Sequence, residues 1–220
     1  MRVLRSNLYL GKKVIKLTIN IIAVIVSYLI GNISPAILLG RMYGVDIKKE
    51  GSGNAGTTNV MRVIGKKAAV FTLLIDVFKG VLVVLLAKHF LGLEMALVCG
   101  LAVFCGHIWP ALFKFKGGKG VATAFGVIVS VSPVLGLSTL AVVLLVFIIT
   151  RRVSAGSVAG AVLFPVLAFV LRPEGISQEL FVSWAVVMAV IVIIKHRSNL
   201  VRLFKGQEPK LDFKKKGVQK

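Results

Sequence analysis

Carboxylates are scarce in this chain: 8 Asp and Glu stand against 28 Lys and Arg in 220 residues, a formal net charge of +20 at pH 7. They are scattered, so no carboxylate cluster could hold a divalent metal, and enzymes that use a nucleotide-activated substrate through such a metal are excluded. Cysteine is almost absent. Cys99 and Cys105 share one apolar run with no His or carboxylate cluster beside them, and they read as packing residues. The string G-x-x-x-x-G-K-[ST] is missing, which disfavours nucleotide hydrolysis. No aromatic–basic platform interrupts the cations, so the charge does not point to nucleic acid. The basic N-terminus is followed by no A-x-A-like cleavage site, and the first apolar run is expected to stay uncleaved.

What the chain has instead is apolar length. Hydrophobic residues make up 57%, charged residues only 16%, and the mean hydropathy is +0.91. A soluble domain carries about a quarter charged residues. This is an integral membrane protein, and in that setting basic residues crowd the cytoplasmic loops and attract anionic headgroups.

Apolar runs occur at 17–40, 68–87, 93–113, 121–149, 154–171 and 177–194. A span needs about 20 residues. The run 121–149 is too long for one crossing, and Pro133 disfavours helix at the residue before it. It divides either into one kinked helix or into a short helix to 130 and a second from 133. Loop charge favours the second reading. Residues 41–67 hold six cations, Lys114, Lys116 and Lys119 stand together, and the tail from Lys195 holds nine. All three regions share the inside only if the fourth run goes across and back. The expected fold is all-α and multi-pass, with seven helices of which two are short. It has the N-terminus outside and the C-terminus cytoplasmic, although Arg2, Arg5, Lys12, Lys13 and Lys16 oppose that placement. One membrane-embedded domain, 17–205, is expected between a basic leader, 1–16, and a basic tail, 206–220.

Polar residues inside apolar runs need a reason. Asp76 and Lys79 lie three apart on one helical face, as an ion pair or as the floor of a headgroup-level site. Gly31-Asn32-Ile33-Ser34-Pro35 breaks the first run, which requires protein or water to satisfy the freed backbone groups. Asn32 is a candidate to face a polar site.

Three basic, polar clusters remain. In GSGNAGTTNVMR, glycines such as Gly51 and Gly53 let successive N–H groups approach an anion. Ser52, Asn54, Thr57, Thr58 and Asn59 add polar groups there, and Arg62 offers a planar fork suited to phosphate. In GHIWPALFKFKGGKGVAT, Lys119 sits between Gly118 and Gly120 at the start of a helix, a place that favours phosphate. His107 here reads as a packed or interfacial histidine. In KHRSNLVRLFKG, His196 and Asn199 share a helical face, and Ser157 in RRVSAGSVAG is a further candidate beside a helix-packing role. Three such clusters at one face imply a phosphorylated substrate at the membrane surface, whether carried or reacted. A transporter would place its groups near the midplane, often with inverted repeats, and no repeat is visible.

In this order and spacing the three motifs resemble the bacterial acyl-phosphate-dependent glycerol-3-phosphate acyltransferases, from about Ile22 to Lys205. The resemblance implies a seven-helix protein of the bacterial cytoplasmic membrane with its active site facing the cytoplasm. It implies acyl transfer from acyl-phosphate to the first hydroxyl of glycerol 3-phosphate, giving lysophosphatidate and phosphate, the first step of phospholipid synthesis. It matches Ser52, Asn54, Arg62, Lys119, His196 and Asn199 to catalytic positions, with Ser157 also at the site. Gly51, Gly53, Thr58, Asn59, Gly118 and Gly120 are expected to line the substrate pocket, supported by Asp76 and Lys79. No metal or cofactor is expected. The partners are the two substrates and membrane lipid. A His with Asp five positions on, the common acyltransferase device, does not occur; the string from His89 ends in Glu94. The donor phosphate is therefore expected to take the proton, with His196 holding or polarising a phosphate.

Overall fold

Inside a bilayer the backbone finds no water, so a spanning segment must satisfy its own N–H and C=O groups. A computed structural model describes residues 2–211, with side chains from Gly11 onward, and contains ten α-helices and no strand among the described residues. The side chains of Arg2 and Arg5, and residues 212–220 of the basic tail, lie outside it.

The first apolar run is one helix, α1 (Arg2–Gly31), which takes in the basic leader, and then a break and a short helix, α2 (Pro35–Met42). Asn32 is fully buried in the break and repairs it. Its Nδ2 donates to the Tyr28 carbonyl at 2.7 Å, and its Oδ1 accepts from the Leu112 N–H at 3.2 Å. After the polar loop come α3 (Thr57–Val63), α4 (Lys66–Leu91) and α5 (Leu93–Ile108). Small residues set how closely these pack: a Cβ on Gly80 of α4 would lie 2.6 Å from the Thr123 carbonyl.

The long fourth run is two helices, α6 (Val121–Val131) and α7 (Pro133–Thr150). Between them Ser132 is extended and its Oγ accepts from the Leu135 N–H at 3.3 Å, while Pro133 occupies the first turn of α7, where no N–H is needed. Although α6 is only about 16 Å long, Lys88, near the far end of α4, reaches the Val131 carbonyl at 3.4 Å. The chain then returns along α7, and α8 (Val153–Val170), α9 (Gln178–Lys195) and α10 (Arg197–Phe204) complete it. Six segments are long and apolar enough to cross a membrane by length and composition, and α6 is a shorter apolar helix. Seven such elements are therefore present among the described residues, with one short helix instead of the two expected, because α7 at 18 residues is long enough to cross. Residues such as Phe78, Phe90, Ile149 and Val170 are exposed on the outer faces, as lipid contact requires.

The central packing unites α4, α5, α6, α8 and α9 around Val84, Val103, Phe104, Val127 and Phe181. Trp184 stacks on Phe181 with ring centroids 5.6 Å apart, and its indole N–H donates to the Leu97 carbonyl at 3.1 Å. This core holds the end of α5, the start of α6 and the end of α9 in fixed relation, and the site is built on those three ends.

Candidate active site

The first wall is the loop before α3. Gly51 has φ +61° and lies against Asn59, so a side chain here would suffer both backbone strain and a clash. Asn59 is buried and folds the loop around itself: Oδ1 accepts from the Ser52 N–H at 2.7 Å, and Nδ2 donates to the carbonyls of Ile47 at 2.9 Å and Glu50 at 3.0 Å. Both amide protons are thereby engaged. Asn59 is a loop clamp, not the pocket-lining donor expected from the sequence. Ser52 and Arg62 are exposed and Asn54 and Thr58 half-buried, and their side chains make no hydrogen bond among the described residues. Gly53 has φ +68° and completes the turn.

The second wall is the glycine loop between α5 and α6. Gly117 and Gly118 N–H groups bond the carbonyls of Ile108 and His107 at 3.1 and 3.3 Å. Gly118 is buried against His107 Nε2 and the Ala55 carbonyl, so this loop rests directly on the first wall. Gly120 adopts φ +80° against Phe104 and opens α6.

Behind Gly118 lies the buried cluster of Asp76, Lys79 and His107. Lys79 Nζ donates to the carbonyls of Gly31 at 3.2 Å and Ile33 at 2.8 Å, and lies 2.8 Å from His107 Nδ1. Asp76 Oδ1 sits 2.8 Å from the same ammonium and 3.2 Å from His107 Nδ1. The other ring nitrogen of His107, Nε2, faces the Ala55–Gly118 contact. The ion pair expected from the sequence is present, and through His107 it reaches the glycine loop. The packed histidine is also found.

The third wall is the α9–α10 junction. His196 is buried, and its Nδ1 donates to the Val192 carbonyl at 2.8 Å. Burial, reinforced by the charge of Lys119, pushes its pKa down to about 4 despite the Val192 hydrogen bond and Glu208. The ring is neutral, and Nε2 offers a lone pair. Asn199 joins two walls: its Oδ1 accepts from Lys119 Nζ, and its Nδ2 donates to Glu208 Oε1 at 2.6 Å.

Glu208 was not foreseen. It lies past the stretch that carries the motifs, in what reads as a basic tail, yet it is buried. Ser154 Oγ also donates to Oε1, at 2.7 Å, and Arg202 Nε reaches Oε2 at 2.7 Å. Arg152 Nε and the Arg151 carbonyl fasten the Glu208 carbonyl and the Leu211 N–H at 3.0 and 2.8 Å. Burial works to raise the Glu208 pKa, but the hydrogen bonds from Ser154, Asn199 and Arg202 hold it below the usual carboxylate value. The only signal in the sequence is one carboxylate alone between Gly206 and Pro209 among cations.

Lys119 is the centre of the arrangement. Burial lowers its pKa to about 8; Glu208 opposes the fall, and the charges of Arg202, Arg62 and Lys195 add to it. Cations from the other two clusters therefore act on one amine. Ser157 is buried on α8, with its hydroxyl bonded to the Val153 carbonyl at 3.0 Å. It stands at the edge of an apolar crevice between α6, α7, α8 and α9, lined by Phe125, Ile128, Leu140, Phe164 and Met188. Among the described residues no group of three or more His, Cys, Asp or Glu could hold a metal.

A family model described as glycerol-3-phosphate acyltransferase matches residues 21–206. The chain belongs to the glycerol-3-phosphate acyltransferase family. It is 44% identical over 195 residues to the enzyme of that name from Thermoanaerobacter pseudethanolicus, covering 88% of this chain and 96% of the relative. With the Clostridioides difficile enzyme it shares 44% over 203 residues, 89% and 97% of the two chains. Its fold is similar to the crystal structure of PlsY (YgiH), an integral membrane glycerol 3-phosphate acyltransferase, in the glycerol 3-phosphate form. The TM-score is 0.82 at 37% identity, covering 88% of this chain and 96% of that one. The lysophosphatidic acid form of the same enzyme matches with a TM-score of 0.80 at 36% identity. Every glycerol-3-phosphate acyltransferase motif residue singled out above falls within the matched span, and Glu208 falls just beyond it.

Proposed function

We propose that this protein transfers a fatty acyl group from acyl-phosphate to the sn-1 hydroxyl of glycerol 3-phosphate, giving 1-acyl-glycerol 3-phosphate and inorganic phosphate. The observation that carries the proposal is that Lys119 bonds Asn199 and feels the charge of Arg62, His196 in turn feels that of Lys119, and an apolar crevice lined by Val121 and Val192 begins beside them. Two phosphates and one hydrocarbon chain are what such a site suits.

Arg62 and Lys119 would offset the repulsion between the two phosphates, and the loop would hold the hydroxyl near the acyl carbonyl. The hydroxyl oxygen attacks that carbon, and the oxyanion is met by Ser52, Asn54 or loop N–H groups. Collapse breaks the carbon–oxygen bond to phosphate. A His196 of pKa about 4 is a weaker base than a phosphate, whose second ionisation lies near 6. The hydroxyl proton therefore ends on the departing phosphate, while the Nε2 lone pair accepts a hydrogen bond that aims the hydroxyl. On this reading His196 is a neutral acceptor, where the expectation from the sequence is that it holds or polarises a phosphate.

The face bearing the site is proposed to be cytoplasmic in a bacterial inner membrane, with the N-terminus outside; its basic loops support that placement. No cofactor takes part in this scheme. Purified protein given acyl-phosphate and glycerol 3-phosphate is expected to release phosphate only when both are present, and acyl-CoA is expected not to replace acyl-phosphate. Equal turnover with acyl-CoA would overturn the donor assignment, and uptake into liposomes without phosphate release would indicate a transporter.

A further inference from the structure

A cavity of mixed polar and apolar lining lies on the same loops, on the other side of Ile47 from the walls' functional residues. Its volume is about 520 Å³, and it is enclosed by the end of α2, residues 44–48 and the turn 112–114. Arg41, Lys48 and Lys114 all line it, and Asp46 is the only acidic lining residue. The carboxylate of Asp46 is partly engaged by the Lys48 N–H at 3.0 Å. Two of the cations flank one ring: the Arg41 guanidinium and the Lys48 ammonium lie 5.5 and 5.6 Å from the centroid of Phe113. Lys48 is further held by the Phe113 carbonyl at 3.3 Å, and burial, with repulsion from Lys116 and Arg41, lowers its pKa against the pull of Asp46.

The turn that supplies Lys114 is itself unusual. Lys114 and Phe115 both have positive φ, 56° and 58°, a conformation that residues other than glycine rarely adopt and that persists only where the surroundings impose it. Its effect is to keep Lys114 at the cavity and Phe115 outside. Leu112 of the lining is 70% exposed, and the residues next to the lining in the chain, Met42 and Phe115, are 79% and 60% exposed, with Tyr43 exposed between Met42 and Gly44. Apolar and aromatic side chains left bare at a helix end suit the level of lipid headgroups. The inside bias of basic loops accounts for cations on this face, but not for three converging on one cavity through a strained turn with an apolar rim.

We infer that this cavity binds the phosphodiester headgroup of an anionic phospholipid, with Arg41, Lys48 and Lys114 around the phosphate and the rim against the glycerol and upper acyl chains. A free phosphate would satisfy the cations but leave the rim bare. The inference does not depend on the acyl donor proposed above.

The test uses the full chain in detergent, with equimolar phosphatidylglycerol and phosphatidylcholine, counting retained lipid by native mass spectrometry. Each basic residue lost beside anionic headgroups is worth about fivefold in binding. The double variant Arg41→Gln/Lys114→Gln is therefore expected to lose about twenty-five-fold in phosphatidylglycerol retention. Arg41→Lys/Lys114→Arg, which keeps the charges, should retain it and shows that loss is not misfolding. Lys66→Gln/Lys67→Gln, which removes two exposed cations of the same face outside the cavity, should also retain it. Equal loss in that control would reduce the effect to general surface charge and overturn the inference. Displacement of the lipid by millimolar inorganic phosphate would also overturn it, in favour of a soluble-phosphate site.

Discussion

Lys119 draws its behaviour from neighbours that arrive from distant parts of the chain. A lysine with pKa about 8 is mostly charged at neutral pH and loses its charge as the pH rises through that value. The account predicts that kcat/KM for glycerol 3-phosphate falls above about pH 8. Glu208 is the carboxylate that opposes this loss, so Glu208→Gln should shift the alkaline limb to lower pH. The position of a limb does not depend on how much enzyme is folded, so the test survives any loss of stability. An unmoved limb would remove Glu208 from the electrostatics of the site. His196 gives a second prediction at this scale. Because its pKa lies near 4, no inflection belonging to it should appear between about pH 5 and 7. His196→Ala should lower kcat by about 10²-fold, and His196→Gln, whose amide oxygen can accept a hydrogen bond, should recover part of that. Near-full turnover by His196→Ala at saturating substrate would rule out its role.

Among the elements, the broken first span and α4 depend on each other. Lys79 satisfies two carbonyls freed at the break, Gly31 and Ile33, and its own charge is balanced by Asp76. Removing one member of a buried pair leaves the other uncompensated, typically at about 3–5 kcal/mol. Asp76→Asn or Lys79→Met alone should therefore lower the detergent melting temperature sharply. The double variant should recover part of the loss, though not the contacts to the break. Additive losses would show that the two residues act independently. The loss should extend to activity through His107 and Gly118, since the glycine loop rests on that ring.

Helix positions were readable because they follow local rules. Apolar length marked the spans, Pro133 divided the fourth run, and Asp76 and Lys79 met as helical spacing requires. The three basic, polar strings also located the three walls. What could not be read were contacts made across the molecule. Lys119 and Asn199 are 80 residues apart, and the engagement of Asn59 with its own loop depends on the turn it creates. Glu208 escaped because a single carboxylate in a basic tail has no periodicity or motif; only burial beneath Ser154, Asn199 and Arg202 reveals it.

At the scale of the whole molecule everything rests on sidedness: α6 and α7 must go across and back, so that all three walls share one face. The direct measurement is labelling with a membrane-impermeant maleimide in sealed inside-out and right-side-out vesicles, in a Cys99→Ala/Cys105→Ala background. Single cysteines replace the exposed residues Ser52, Lys116 and Arg197, with Glu94 and Glu174 as the opposing set. The first three are expected to label only in inside-out vesicles, and the last two only in right-side-out vesicles. Labelling of Ser52 and Arg197 from opposite sides would contradict the account.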